Sequence, residues 1–159
     1  MRIIFFIMIG LFSISYADFS RENGIVTDSD TNLEWQDNYS DSQTNARDIT
    51  KATWSEAIDY CEELNLNGYG WRLPNINELK SLVRSKEPAI SHIFKHHNFL
   101  TYTTFWSSTS NASNSNEAWV IGFMYGKHYY VNKDMIKYVR CVRNKQVDRA
   151  WFFQKLFSK

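Results

Sequence analysis

Residues 70–79 constrain the fold most strongly, because they join a glycine turn to the start of a helix. Asn75 is a favourable N-cap residue, and Glu78 follows three positions later, which is the spacing of a capping box. Pro74 cannot extend a helix backwards, so the helix has a defined beginning. Apolar residues then recur at helical spacing. The pattern predicts a helix over residues 75–85.

The preceding segment predicts another helix, because Thr53 and Glu56 repeat the capping-box spacing. The apolar residues that follow lie on one helical face, and Cys61 belongs to that face. Acidic residues of the same segment lie away from it. We therefore expect a helix whose buried side carries Cys61 and which ends at the turn-rich residues 65–70.

Short alternating segments on both sides of the helices predict antiparallel strands. Before the helices, residues 25–28 and 33–36 form a predicted hairpin, with Asn32 suited to a left-handed turn. After the helices, residues 110–116 are predicted to form a polar loop. The other segments there predict strands at 105–109, 118–124, 128–131 and 138–143.

Aromatic side chains make up 16% of the chain, so we expect them to dominate the packing of the core. A chain of 159 residues is long enough for one domain with a sizeable core. The predicted core residues are Trp35, Trp54, Trp71, Leu73, Leu79, Trp106 and Trp119.

Residues 1–17 predict a signal peptide rather than a part of the fold. Arg2 supplies the positive start, residues 3–14 the apolar region, and residues 15–17 a cleavage site of small residues. The apolar run is too short for a stable membrane anchor. We expect an exported chain that begins at Asp18, lacks a transmembrane segment, and resides in the periplasm, on the outer surface or in the medium. An uncleaved N-terminal anchor is the alternative.

Charge is distributed unevenly along the expected mature chain, which has 17 acidic and 17 basic residues. Residues 18–70 hold 12 acidic and 3 basic side chains, whereas residues 71–159 hold 5 acidic and 14 basic. The asymmetry indicates either an anionic partner for the basic half or two halves that pack against each other. We expect no nucleic-acid partner, no metal and no cofactor.

Cysteine and histidine are the remaining candidates for chemistry. An exported chain with only two cysteines, Cys61 and Cys141, indicates one disulfide, with two free buried thiols as the alternative.

His92 and His96 have the i, i+4 spacing of a helical metal site, and His97 is adjacent. No carboxylate or cysteine accompanies these histidines at ligand spacing, so we favour surface histidines.

A basic, aromatic tail occupies residues 144–159. Its amphipathic pattern fits a helix that binds a membrane surface or a partner. It also fits a C-terminal helix docked on its own domain, or a frayed tail, and we favour this second interpretation.

The order of these segments resembles the C-type-lectin-like fold and, more closely, a bacterial family called domain of unknown function 1566 or the Lcl C-terminal domain. The resemblance covers roughly residues 25–143 and implies an α+β fold in which two helices pack on a twisted antiparallel sheet. It also implies terminal strands that lie close together, and a disulfide from the first helix to the last strand. The matching motifs are Val26-Thr27-Asp28 with Thr31, Leu33, Trp35 and Gln36; Thr53-Trp54 with Glu56-Ala57 and Tyr60-Cys61; Gly68-Tyr69 and Trp71-Arg72-Leu73-Pro74-Asn75 with Glu78-Leu79; Phe105-Trp106-Ser107-Ser108-Thr109; Ala118-Trp119-Val120; and Tyr138-Val139-Arg140-Cys141-Val142-Arg143.

The resemblance implies an adhesin-like, non-enzymatic binding module that recognises anionic glycan, such as sulfated polysaccharide, or a surface protein. Calcium-dependent lectin motifs are missing from the sequence, so we expect no calcium-dependent sugar site. The alternative is an enzyme related to the formylglycine-generating enzymes, which need reactive cysteines. Candidate ligand residues are Tyr102, Asn111, Asn114 and Asn116 for sugar hydroxyls, and Lys127, Lys133, Lys137, Arg140 and Arg143 for sulfates or carboxylates, although each charge taken singly also fits a solvated surface.

Overall fold

The computed structural model describes residues 19–38, 49–84, 89–95 and 103–146. Within these residues the chain is an α+β protein with two helices, a four-stranded sheet and a five-stranded sheet. The predicted signal peptide and residues 147–159 of the predicted tail lie outside the described residues, so both stay predictions. In chain order the elements are β1 Phe19–Glu22, β2 Ile25–Asp28, β3 Leu33–Gln36, β4 Lys51–Ala52, α1 Trp54–Glu63, α2 Ile76–Ser81, β5 Phe105–Asn111, β6 Asn114–Gly122, β7 Lys127–Asn132, β8 Lys137–Tyr138 and β9 Val142–Asn144.

The four-stranded sheet is antiparallel and has the order β1-β2-β3-β9. The predicted hairpin is confirmed as β2 and β3, and Asn32 in its turn has a φ of 54°. β1 was not predicted; it joins β2 through a turn in which Asn23 has a φ of 49° and Gly24 a φ of 78°. The first and last strands of the described chain therefore belong to the same sheet.

The five-stranded sheet has the order β4-β8-β5-β6-β7 and is mixed, because β5 and β8 are parallel. The prediction of a single strand over residues 138–143 is wrong. Tyr138 ends β8 in this sheet, whereas Val142 begins β9 in the other. Between them, Val139 donates its backbone N–H to the carbonyl of Thr50 at 2.9 Å, and the segment crosses from one sheet to the other through the core.

The prediction of a polar loop over residues 110–116 is also wrong, because β5 and β6 extend through it as a tight hairpin. Asn111 pairs with Asn114 across a two-residue turn. The side-chain oxygen of Asn111 accepts a hydrogen bond from the N–H of Ser113, and that of Asn114 accepts one from Asn116, each at 3.1 Å. These local bonds stabilise the turn, as short amide side chains often do.

Both helices begin at the predicted capping boxes. In α2 the Asn75 side chain accepts from the N–H of Glu78 at 2.9 Å, and the Glu78 carboxylate accepts from the N–H of Asn75 at 2.8 Å. Arg72 donates two more hydrogen bonds to Glu78, at 2.8 and 2.6 Å. Burial acts to raise the pKa of Glu78, but these hydrogen bonds outweigh it and hold the pKa below its usual 4.5. α2 ends at Ser81, earlier than predicted, because Val83 enters a β-bridge.

Two buried clusters and one disulfide hold the helices and sheets together. The predicted disulfide is confirmed: Cys61 in α1 is bonded to Cys141, just before β9, with a Cα–Cα distance of 5.4 Å. Trp54 and Trp119 were predicted as core residues but are only half-buried. The other predicted core residues are buried, namely Trp35, Trp71, Leu73, Leu79 and Trp106. No helix among the described residues is long and apolar enough to cross a membrane.

Candidate functional site

Arg140, predicted as a surface ligand for sulfate, lies fully inside the protein. Its Nη1 donates to the carbonyl of Gln36 at 3.2 Å and lies 3.6 Å from a carboxylate oxygen of Asp37. The guanidinium stacks 4.3 Å from the ring centre of Phe94. The prediction that Arg140 contacts a ligand is therefore wrong, since the buried side chain lies between Gln36 of β3 and the ring of Phe105 in β5, 5.5 Å away.

Arg143 was predicted to have the same surface role, and it too is buried, with only 4% of the residue exposed. Its Nε donates to Glu34 at 2.7 Å, and its Nη1 donates to the carbonyls of three successive residues, 66–68, at 3.1 to 3.2 Å. The guanidinium also covers the ring of Trp71 at 4.4 Å. Its contacts hold a turn against β9, so the prediction of an exposed cation is wrong.

The three candidate lysines do not form one cluster. Lys127 begins β7 and is exposed, whereas Lys133 follows its end, about 20 Å away along six extended residues. Lys133 donates from Nζ to Ser110 at 2.8 Å and lies 3.8 Å above the ring of Trp54. Lys137 lies in β8, opposite β4. The five basic candidates are thus dispersed over the strands and the core.

The predicted histidine site is only partly described, since His96 and His97 lie outside the described residues, as does Tyr102. His92 is described and exposed. In the described part of the chain no three His, Cys, Asp or Glu side chains come together as metal ligands would.

An exposed surface of aromatic and polar residues does form on the outer strands of the five-stranded sheet. In the register of β6 and β7, Trp119 lies opposite Tyr130, and residues two positions away in either strand point to the same side. Tyr130 is 50% exposed, and its ring meets the half-buried ring of Trp119 edge-on at 5.4 Å. We call this surface the aromatic face; its members are Lys80, Asn111, Glu117, Trp119, His128, Tyr130 and Asn132.

Cationic and polar groups surround the two rings. The ring of His128 lies 5.7 Å from that of Trp119, and Nζ of Lys80, from α2, lies 6.0 Å from the same ring. Two residues along β6, Glu117 accepts a hydrogen bond of 2.7 Å from Nδ2 of Asn111. This hydrogen bond fixes an amide and a carboxylate beside the aromatic rings.

The structure brings only part of the predicted site together. Asn111 belongs to the aromatic face, whereas Asn114 and Asn116 are exposed members of the hairpin beside it. The aromatic face includes Tyr130 and Lys80, which were not among the predicted ligand residues. One signal was present in the sequence, since β7 reads Lys-His-Tyr-Tyr-Val-Asn and has polar or amphipathic residues at five of its six positions.

The aromatic face offers two kinds of recognition. Exposed aromatic rings pack against the apolar C–H faces of ligands such as pyranose rings, and their hydrogen-bonding neighbours fix orientation. A lysine beside the rings would attract a negatively charged substituent.

The comparisons with known proteins bear on the family. No curated protein matches the chain. The family model of the Lcl C-terminal domain matches residues 24–143, which is well over half of the sequence and includes all elements from β2 to α2 and on into β9. The family suggested by the sequence motifs is thereby confirmed, and the chain belongs to the Lcl C-terminal domain family.

Proposed function

We propose that this chain is an exported, non-enzymatic binding module that recognises anionic glycan through the aromatic face. The observation that carries the proposal is the exposed ring of Tyr130, which packs against the ring of Trp119. The ammonium group of Lys80 lies 6.0 Å from the centre of the Trp119 ring. Tyrosine and tryptophan expose rigid, amphipathic surface at low entropic cost, which suits a sugar ring. The cation supplies the preference for sulfated or carboxylated sugars.

Hydrogen bonding at the same surface supports a sugar ligand. Glu117 and Asn111 are already oriented by their mutual hydrogen bond, and Asn132 lies opposite Glu117 on the neighbouring strand. Pre-oriented amides and carboxylates bind hydroxyl pairs with little loss of conformational entropy. A sugar stacked on Trp119 would meet these groups at its edge, about 7 Å along the strand.

We also infer a C-type-lectin-like fold. Two features support it: the disulfide from α1 to the segment before β9, and the presence of β1 and β9 in one sheet. Export is supported by the predicted leader at residues 1–17 and by the disulfide, since such bonds persist in oxidising compartments.

The alternative is an enzyme related to the formylglycine-generating enzymes. That chemistry requires a reactive cysteine, and the disulfide occupies Cys61 and Cys141, the only two in the sequence. This argument favours binding over catalysis. Incubation of the mature chain with glycans separates the two, since a binding module leaves its ligand uncut.

Heparin retention of the oxidised mature chain tests the proposal. We expect retention at low salt, and we expect Tyr130→Ala to elute earlier. Tyr69→Ala is the matched control, because Tyr69 is 66% exposed but lies outside the aromatic face. If the unmodified chain flows through, or the two tyrosine variants elute together, the aromatic face is not a glycan site.

A charge reversal gives a second test of the same surface. Lys80→Glu should reduce retention more than Lys145→Glu, which makes the same change in net charge at an exposed position after β9. Equal effects would show attraction to net charge alone. A glycan array, read with and without chelator, would then identify the sugar, with no dependence on calcium expected.

A further inference from the structure

A polar cleft of about 500 Å³ opens on the four-stranded sheet, separate from the aromatic face on the other sheet. Its volume lies in the range of small-molecule sites. Three carboxamides and a hydroxyl surround an ion pair in the cleft. The polar residues that line it are Glu22, Asn23, Thr27, Glu34, Asn67, Arg143 and Gln146.

The floor of the cleft is a row of side chains that crosses three strands. Thr27 of β2 lies opposite Glu34 of β3, which lies opposite Arg143 of β9. Glu34 and Arg143 are 9% and 4% exposed, and they are joined at 2.7 Å. A charged pair buried to this extent is oriented before any ligand arrives.

Each member of the ion pair keeps one polar group uncommitted. Arg143 uses Nε for Glu34 and Nη1 for the backbone turn at residues 66–68, whereas Nη2 makes no hydrogen bond within the described residues. The second oxygen of Glu34 makes none there either. Neither atom is sealed in the interior, so a donor and an acceptor face the cleft together.

The rim at residues 66–68 is held rigidly. Trp71 donates from its indole N–H to the carbonyls of Leu66 and Gly68, each at 3.1 Å, and Arg143 bonds the same carbonyls. Asn67 is thereby fixed in a left-handed conformation with a φ of 53°. A rigid rim lowers the entropic cost of binding.

We propose that this cleft binds a small saccharide that carries no negative charge. Paired hydroxyls donate to a carboxylate while they accept from guanidinium and amide N–H groups, and the cleft presents all three. Arg143 neutralises Glu34, but Glu22 at the rim adds a negative charge that has no ion-pair partner among the described residues, and this charge disfavours an anion. The ligand class therefore differs from the anionic glycan of the aromatic face, and the inference does not depend on that function.

The test is a titration of the oxidised mature chain with glucose, glucosamine and glucuronate, followed by the backbone amide NMR signals. Binding of the first two should shift the signals of Thr27, Asn67 and Gln146. Glucuronate should bind more weakly, and Glu22→Gln should reduce that difference. No shift at these three residues with any of the sugars would overturn the proposal, and so would binding of glucuronate as tight as that of glucose.

Rim variants show whether the sugar occupies this cleft. Gln146→Ala should weaken glucose binding about fivefold to tenfold, since it removes about one hydrogen bond. Asn144→Ala is the matched control, because Asn144 is an exposed amide nearby that does not line the cleft. Tyr130→Ala should leave glucose binding unchanged while it weakens heparin retention. Equal losses from Gln146→Ala and Asn144→Ala would place the sugar elsewhere.

Discussion

Replacement of Arg143 by methionine tests whether the interior depends on a charge that the sequence would place on the surface. The change keeps an apolar stem over Trp71 but removes every guanidinium contact. Glu34 then retains a negative charge with 12% of its side chain exposed and no cation beside it. The three carbonyls of residues 66–68 lose their shared donor.

The expected loss in the free energy of unfolding is about 3 kcal/mol. Removal of one partner of a buried ion pair costs about 3–5 kcal/mol. Because Glu34 is partly exposed, we place the loss of stability at the lower end of this range. The hydrogen bonds lost from the three carbonyls increase the loss. Trp71→Ala should cost a similar amount, about 3–5 kcal/mol for a buried aromatic residue.

Urea denaturation of the oxidised mature chain measures the loss. The double variant Glu34→Gln with Arg143→Met should recover part of it, because the stranded charge is gone. Lys145→Met serves as the control, since an exposed lysine should change stability by less than about 0.5 kcal/mol. A loss that small in Arg143→Met would refute the assignment of Arg143 to the interior scaffold.

Three further predictions concern stability. Reduction of the disulfide, which spans 80 positions, should cost about 4.5 kcal/mol on the loop-entropy relation, measured by urea denaturation with and without reductant; unchanged midpoints would contradict it. Gly126→Ala should lower the melting temperature, because φ is 66° and a Cβ would lie 2.7 Å from Val83, whereas Gly122→Ala, where φ is not left-handed and the nearest atom would lie 3.4 Å away, should lower it less. Glu78→Gln should make stability fall less steeply as the pH is lowered below 4.5. The lowered pKa means that the Glu78 carboxylate stabilises the fold above pH 4.5 and progressively less below it. Identical curves of stability against pH for the variant and the unmodified chain would contradict this.

Local signals in the sequence predicted the local structure well. Both capping boxes, at Thr53 and Asn75, and the hairpin around Asn32 depend on residues within four positions of one another. Such short-range hydrogen bonds and turn preferences form regardless of what packs against them. The disulfide between Cys61 and Cys141 was predictable for a different reason, since a chain with two cysteines offers one possible pairing.

Long-range features could not be predicted in the same way. The strand expected at residues 138–143 looks continuous in sequence, but β8 and β9 belong to different sheets because their partners, β4 and β3, come from distant parts of the chain. Arg140 and Arg143 fall in this segment, and their burial depends on carboxylates more than 100 positions away. No local pattern distinguishes such arginines from exposed ones.

The aromatic face was missed for a related reason. Trp119 fits the apolar run of β6, which predicts a core residue, and three of its neighbours in that strand are indeed buried. Its exposure follows from the position of β7 at the edge of the sheet, a property of topology. Tyr130 in β7 gains significance only when the register sets it opposite Trp119.

Some of the opposite charges of the two halves of the chain pair with each other inside the fold. Asp37 and Glu34 belong to the acidic half, and they pair with Arg140 and Arg143 of the basic half. Arg140 is fully buried and Arg143 is engaged by Glu34 and by the turn at residues 66–68, so neither adds a cation to the aromatic face, where Lys80 lies beside the rings.

Salt therefore separates the two contributions to glycan binding. Exposed charges are screened beyond about 8 Å at physiological ionic strength, whereas ring stacking is not. Lys80→Glu should weaken retention chiefly at low salt, and Tyr130→Ala should weaken it at every salt concentration. Retention that disappears equally with salt in both variants would show that charge alone holds the glycan and that the aromatic rings do not contact it.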